Sequence, residues 1–91
     1  MQSVKIKQIH FSPHFFKSFD KLPKPIQGLA REKDGIFRKN PFDLRLHTHK
    51  LKGELRGAWA YSVNYEYRVL FRFIKHDEVL YYDIGTHNIY K

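Results

Sequence analysis

The hydrophobic pattern changes period at Asn40-Pro41, and no other feature constrains the possible folds of this chain as strongly. Before that point Phe15, Phe16, Phe19 and Leu22 recur at helical spacing, and Ile26, Leu29, Ala30 and Phe37 form a second such stripe. Beyond it Trp59, Tyr61 and Val63 alternate with Ala60 and Ser62. Tyr67, Val69, Phe71 and Phe73 then alternate with Arg68, Leu70, Arg72 and Ile74. Helices early and strands late are the expected consequence.

The punctuation residues agree with this division. Val4 to Ile9 alternates weakly and predicts a first strand. Ser12-Pro13 reads as an N-cap followed by proline at the first helical position, opening a helix that runs to about Lys21 and stops before Pro23. A second helix is expected from about Pro25 to Lys39, with Arg31, Lys33, Asp34 and Arg38 off its apolar stripe. Gly28 and Gly35 each cost about 1 kcal/mol in a helix interior, and close packing on a sheet is the expected reason for them. Lys75-His76-Asp77-Glu78 reads as a hairpin turn between the last two strands. The fold class is α+β: an N-terminal strand, two helices, then a three- to four-stranded antiparallel sheet. The helices cover one face and leave the other at least partly open.

Ninety-one residues read as one domain, spanning 1–91, whose small core must be dense in large side chains. Eight Phe, six Tyr and one Trp supply them. Cysteine is absent, which excludes disulfides and thiolate metal sites and suits a reducing cytoplasm. No apolar run is long enough to span a membrane, and the first residues do not read as an export signal. Lys and Arg number 17 against 9 Asp and Glu, a net charge of +8 that attracts polyanions such as RNA, DNA or acidic protein segments. A merely soluble basic surface is the alternative.

Few side chains are placed for chemistry. His87 and Tyr90 follow the strongly β-forming run that ends at Gly85, whose lack of a side chain permits a tight bend. A histidine at a sheet rim titrates near its ordinary pKa of about 6.5 and suits general acid/base work; it equally suits capping the sheet. Arg68 lies on a central strand among aromatics and must find an anion, either Glu66 or Asp83 or a bound phosphate. The segment from Arg45 to Arg56 carries Arg45, His47, His49, Lys50, Lys52 and Arg56. It reads as a cradle for an RNA backbone, anchored by Leu46 and Leu51, or as a solvated basic loop. His47 and His49 form a His-x-His pair that zinc would need His87 to complete, and no cysteine or close carboxylate fills the set. Trp59, Tyr61, Tyr65 and Tyr67 alternate in a way that favours a core or half-buried face over a base-stacking platform.

The run His49-Lys50-Leu51-Lys52-Gly53, the Trp-Ala-Tyr-Ser-Val strand, Tyr67-Arg68-Val69-Leu70-Phe71, and Gly85-Thr86-His87 with Tyr90 together resemble the RelE/ParE toxin superfamily, and within it the YafQ-like messenger RNA interferases. The resemblance covers nearly the whole chain. It implies a cytoplasmic toxin of a type II toxin–antitoxin pair that cuts messenger RNA on the ribosome. The implied reaction uses neither metal nor cofactor: a base takes the 2'-hydroxyl proton, the oxygen attacks phosphorus, and an acid protonates the leaving 5'-oxygen. It implies His87 as acid or base, Arg68 as the clamp on the transition-state charge, Tyr90 as a stacking aromatic, His49 as a second proton-transfer group and Glu66 as an acidic site residue. Implied partners are a cognate antitoxin with an acidic, partly disordered segment, the ribosome and messenger RNA. Ala60 and Ser62 stand where RelE itself alternates two lysines, so a lysine-based mechanism is not expected. ParE-type relatives share the fold but poison DNA gyrase; a non-catalytic RNA-binding module is the other alternative.

Overall fold

The computed structural model describes residues 5–53, 57–86 and 89. Among them, strand β1 (Gln8–Phe11) leads into helices α1 (Pro13–Asp20) and α2 (Lys24–Lys39). A 3₁₀ turn (Leu44–Leu46) and strands β2 (His49–Lys50), β3 (Trp59–Ser62), β4 (Arg68–Lys75) and β5 (Glu78–Gly85) follow. The five-stranded sheet has the order β1-β5-β4-β3-β2, with β2 to β5 antiparallel and β1 parallel to β5.

The α+β class and the element order match expectation, while β1 begins later than the alternation suggested. Ile6 is buried and its amide donates to the carbonyl of Arg38 at the end of α2, while the amides of Lys7 and Gln8 reach the Asp77 carbonyl in the turn before β5. Ser12 ends β1 and caps α1: its hydroxyl accepts from the Phe15 amide at 3.0 Å, and Pro13 occupies the first turn.

Both helices pack on the sheet face that carries Tyr61, Val69, Phe71, Val79, Tyr81 and Ile84, and these side chains are all buried. Phe37 of α2 is fully enclosed, its ring centroid 4.8 Å from that of Tyr61 and 4.9 Å from that of Phe71. Such a residue anchors the core; truncating it to alanine costs about 3–5 kcal/mol.

One expectation for α2 needs correction. Gly28 and Gly35 do not approach the sheet: both are exposed, and a Cβ at either would meet nothing within 4 Å. Asp34, off the apolar stripe as expected, has a partner that helical spacing does not reveal. It turns toward the sheet and accepts a 2.7 Å hydrogen bond from the Tyr81 hydroxyl, while Arg38 holds its other oxygen at 2.9 Å. Because Tyr81 has one proton and gives it to Asp34, the 2.9 Å contact between the two tyrosine hydroxyls makes Tyr61 the donor to Tyr81. Burial pushes both hydroxyls well above the ordinary tyrosine pKa, so they stay neutral.

Along the opposite face β4 presents Arg68, Leu70 and Arg72, and their cross-strand neighbours include Ser62, Ala60 and Asp83. A bulge at Tyr82 shifts the register between Leu70/Asp83 and Phe71/Tyr81, putting Tyr82 and Asp83 on this open face together.

Candidate active site

Two short loops at one end of the sheet build the site. In the first, Asp43 caps the 3₁₀ turn by accepting from the Arg45 amide at 3.0 Å, and its two oxygens take the Arg45 guanidinium at 2.9 Å each. That bidentate side-chain pairing, with the amide bond second, pulls the Asp43 carboxyl down to about 2. Leu46 is fully buried and pins the loop, as expected from its place in the basic segment. His47 then takes a left-handed conformation, φ 51°, which turns the chain into β2.

The turn has a chemical consequence at His49. Its Nδ1 lies 2.9 Å from the His47 carbonyl oxygen. A carbonyl only accepts, so in the neutral ring Nδ1 carries the hydrogen and Nε2 keeps the lone pair. The loop therefore presents an exposed imidazole with its basic nitrogen unencumbered by this contact.

In the second loop, between β3 and β4, the Asn64 side-chain oxygen accepts from the amides of Glu66 at 2.9 Å and Tyr67 at 2.7 Å. Arg68 opens β4, and its Nη1 donates to the carbonyls of Asn64 at 2.6 Å and Tyr67 at 3.3 Å. Neither Glu66 nor Asp83 pairs with it. Glu66 is exposed on the turn, and Asp83 is engaged by His14 and by the Ile84 amide. Backbone carbonyls orient the guanidinium without cancelling its charge.

Between these loops lies a cleft of about 380 Å³ lined by Lys33, Arg45, His47, His49, Ser62 to Tyr65, and Arg68. Arg45, His47, His49 and Arg68 are thus brought together from two separate stretches of sequence. No carboxylate lines the cleft among the described residues. Lys50, Lys52 and Glu66 are exposed nearby but outside the lining; Lys50 pairs with Trp59 and so faces away from the side His49 shares with Ala60. His87, Tyr90 and Arg56 lie outside the described residues. Gly85 nevertheless pairs with Arg68 across the sheet, so β5 delivers the chain to this same end two residues before His87. The glycine serves a close approach: a Cβ there would stand 2.7 Å from the Ile89 side chain.

Lys33 and Tyr65 are among the lining residues that the sequence does not single out. Lys33 reaches the cleft from α2, a relation that only the tertiary fold creates. Tyr65, which alternation alone assigns to a core or half-buried face, is 87% exposed at the rim. Its position inside Asn64-Tyr65-Glu66, a turn signature, was the available signal. Among the described residues no group of three or more His, Cys, Asp or Glu is placed to hold a metal, and the His47–His49 zinc set would need His87, which lies outside them. No helix among them is long and apolar enough to cross a membrane.

The fold is that of the RelE-like toxins. Solved structures with the same arrangement include a RelBE toxin–antitoxin complex from Mycobacterium tuberculosis, with TM-score 0.75, 22% identity, and coverage of 94% of this chain and 98% of that one. YafQ from E. coli matches with TM-score 0.75 at 15% identity, covering 90% of this chain and 94% of that one. The archaeal RelE–RelB complex from Pyrococcus horikoshii matches with TM-score 0.68 at 18% identity, over 87% of this chain and 92% of that one. No protein-family model matches the sequence, and no curated protein is similar to it in sequence.

Proposed function

We propose that this chain is the toxin of a toxin–antitoxin pair and an endoribonuclease that cuts messenger RNA on the ribosome in the cytoplasm. The observation that carries the reading is Arg68: a guanidinium held by backbone carbonyls, uncancelled by any described carboxylate, in one cleft with the His49 imidazole. That arrangement fits a phosphodiester, whose charge grows in the transition state.

His49 Nε2 accepts the proton of the 2'-hydroxyl. The freed oxygen attacks the adjacent phosphorus, and the bond to the 5'-oxygen breaks as that oxygen is protonated by His87. Arg68 stabilises the charge on the non-bridging oxygens at the midpoint. Two imidazoles supply both proton transfers, so the scheme requires no metal ion. Arg45, Lys50, Lys52 and Arg56 contribute backbone attraction, Tyr90 stacks near the cleaved bond, and Glu66, exposed on the β3–β4 turn, is the acidic residue of the set. The excess positive charge also suits a cognate antitoxin with an acidic, partly disordered segment that folds on binding.

Expression without an antitoxin, followed by mapping of message ends, tests this function. The wild type arrests growth and cuts within translated messages; His49→Ala and His87→Ala lose most of both effects while remaining folded. Cleavage at the wild-type rate by both variants contradicts the assignment, and growth arrest through stalled DNA gyrase with intact messages favours the ParE-like alternative.

A further inference from the structure

Arg72 is a second cation on the open sheet face, four residues along β4 from Arg68 and on the same side of the strand. A strand rise of about 3.3 Å per residue puts the two Cα atoms roughly 13 Å apart. The guanidinium lies over the Tyr82 ring, its Cζ 5.3 Å from the centroid. Its Nε is buried with no hydrogen-bond partner among the described residues. An arginine in that condition is costly unless something compensates it.

The surroundings are shaped to keep it there. Gly57, at φ 83°, passes so close that a Cβ would fall 2.6 Å from Arg72 Nη1. Ser12 donates to the Tyr82 carbonyl at 2.7 Å and fixes that residue. Together Ser12, His14, Leu70, Arg72, Tyr82 and Asp83 line an open pocket of about 420 Å³. Among the described lining residues the carboxylate is Asp83, whose oxygens are engaged elsewhere, by His14 Nε2 at 3.3 Å and by the Ile84 amide at 2.8 Å.

We propose that this pocket binds a backbone phosphate of the RNA strand that flanks the cleaved bond, with Arg72 as its ligand and His14 at its margin. The inference rests on the nuclease reading of the cleft. Continuity favours RNA over an acidic protein segment: Arg68 and Arg72 rise from one strand onto one face, so a single extended polyanion crosses both. Arg72 then adds affinity and register and takes no part in the proton transfers.

The probe is a short fluorescent single-stranded RNA with 2'-O-methyl sugars, which the proposed reaction cannot cleave, titrated at several salt concentrations. Arg72→Ala and Arg72→Met, the latter keeping an apolar stem over Tyr82, should each weaken binding roughly tenfold. Each should also reduce the slope of log affinity against log salt by about one. Unchanged affinity and slope in both variants overturn the proposal, while continued message cleavage by the wild type leaves the nuclease reading standing. Loss of polyglutamate binding without loss of RNA binding overturns it in favour of an acidic protein partner. A wild type that neither binds this RNA nor cuts messages removes both readings.

Discussion

Arg68 and Asn64 are joined by a 2.6 Å hydrogen bond from a guanidinium nitrogen to a backbone carbonyl, and the same asparagine builds the turn with its side chain. One residue thus shapes the loop and aims the cation. Asn64→Ala leaves two amides without their acceptor, and a loss of about 1–2 kcal/mol in denaturant unfolding is expected. Asn64→Asp keeps an acceptor and should retain most of that stability, but it brings a carboxylate beside Arg68. Its message cleavage should fall well below wild type; equal cleavage by this variant would show that the uncancelled charge of Arg68 is unimportant.

The exposed glycines of α2 carry a stability prediction independent of function. Since a Cβ at Gly28 or Gly35 meets nothing, Gly28→Ala and Gly35→Ala should each stabilise the protein by about 0.5–1 kcal/mol. Thermal unfolding reads this directly. A fall in melting temperature for both would mean that α2 packs against something at those positions.

Asp43 sets a pH dependence whose sign is fixed. Its carboxyl sits near 2 in the folded protein because Arg45 holds it, against an ordinary value of 3.8. A depressed folded-state pKa contributes stability above the unfolded value, and that contribution is lost as pH falls through the interval from about 4 to about 2. The pair is exposed, so the effect is small. Asp43→Asn should flatten this part of the stability profile; an unchanged slope between pH 4 and 2 would exclude the pairing.

The local signals were legible and the distant ones were not. Ser12-Pro13 announced the start of α1, and the alternation from Tyr67 to Phe73 announced β4, because caps and periodicity act between neighbours in sequence. The parallel pairing of β1 with β5 joins opposite ends of the chain, which no local pattern encodes. Helical spacing places Asp34 beside Arg31 and Arg38, off the apolar stripe; its partner Tyr81 is reached only after folding. At the site, Arg68 and His49 were readable as candidates by chemistry. Lys33 and Tyr65 were not, since their place at the cleft depends on how α2 and the β3–β4 turn approach the sheet.

The chemistry left on cut messages tests the central claim most directly. Attack by the neighbouring 2'-hydroxyl leaves a 2',3'-cyclic phosphate, or the monoester it hydrolyses to, on the upstream fragment and a free 5'-hydroxyl on the downstream one. Fragments made by the purified wild-type protein on programmed ribosomes should therefore be labelled by polynucleotide kinase without prior phosphatase treatment. Arg68→Ala should make the same ends about 10²-fold or more slowly. Downstream fragments that begin with a 5'-phosphate would contradict the account, because they require attack by water and leave the His49–Arg68 cleft without its assigned role.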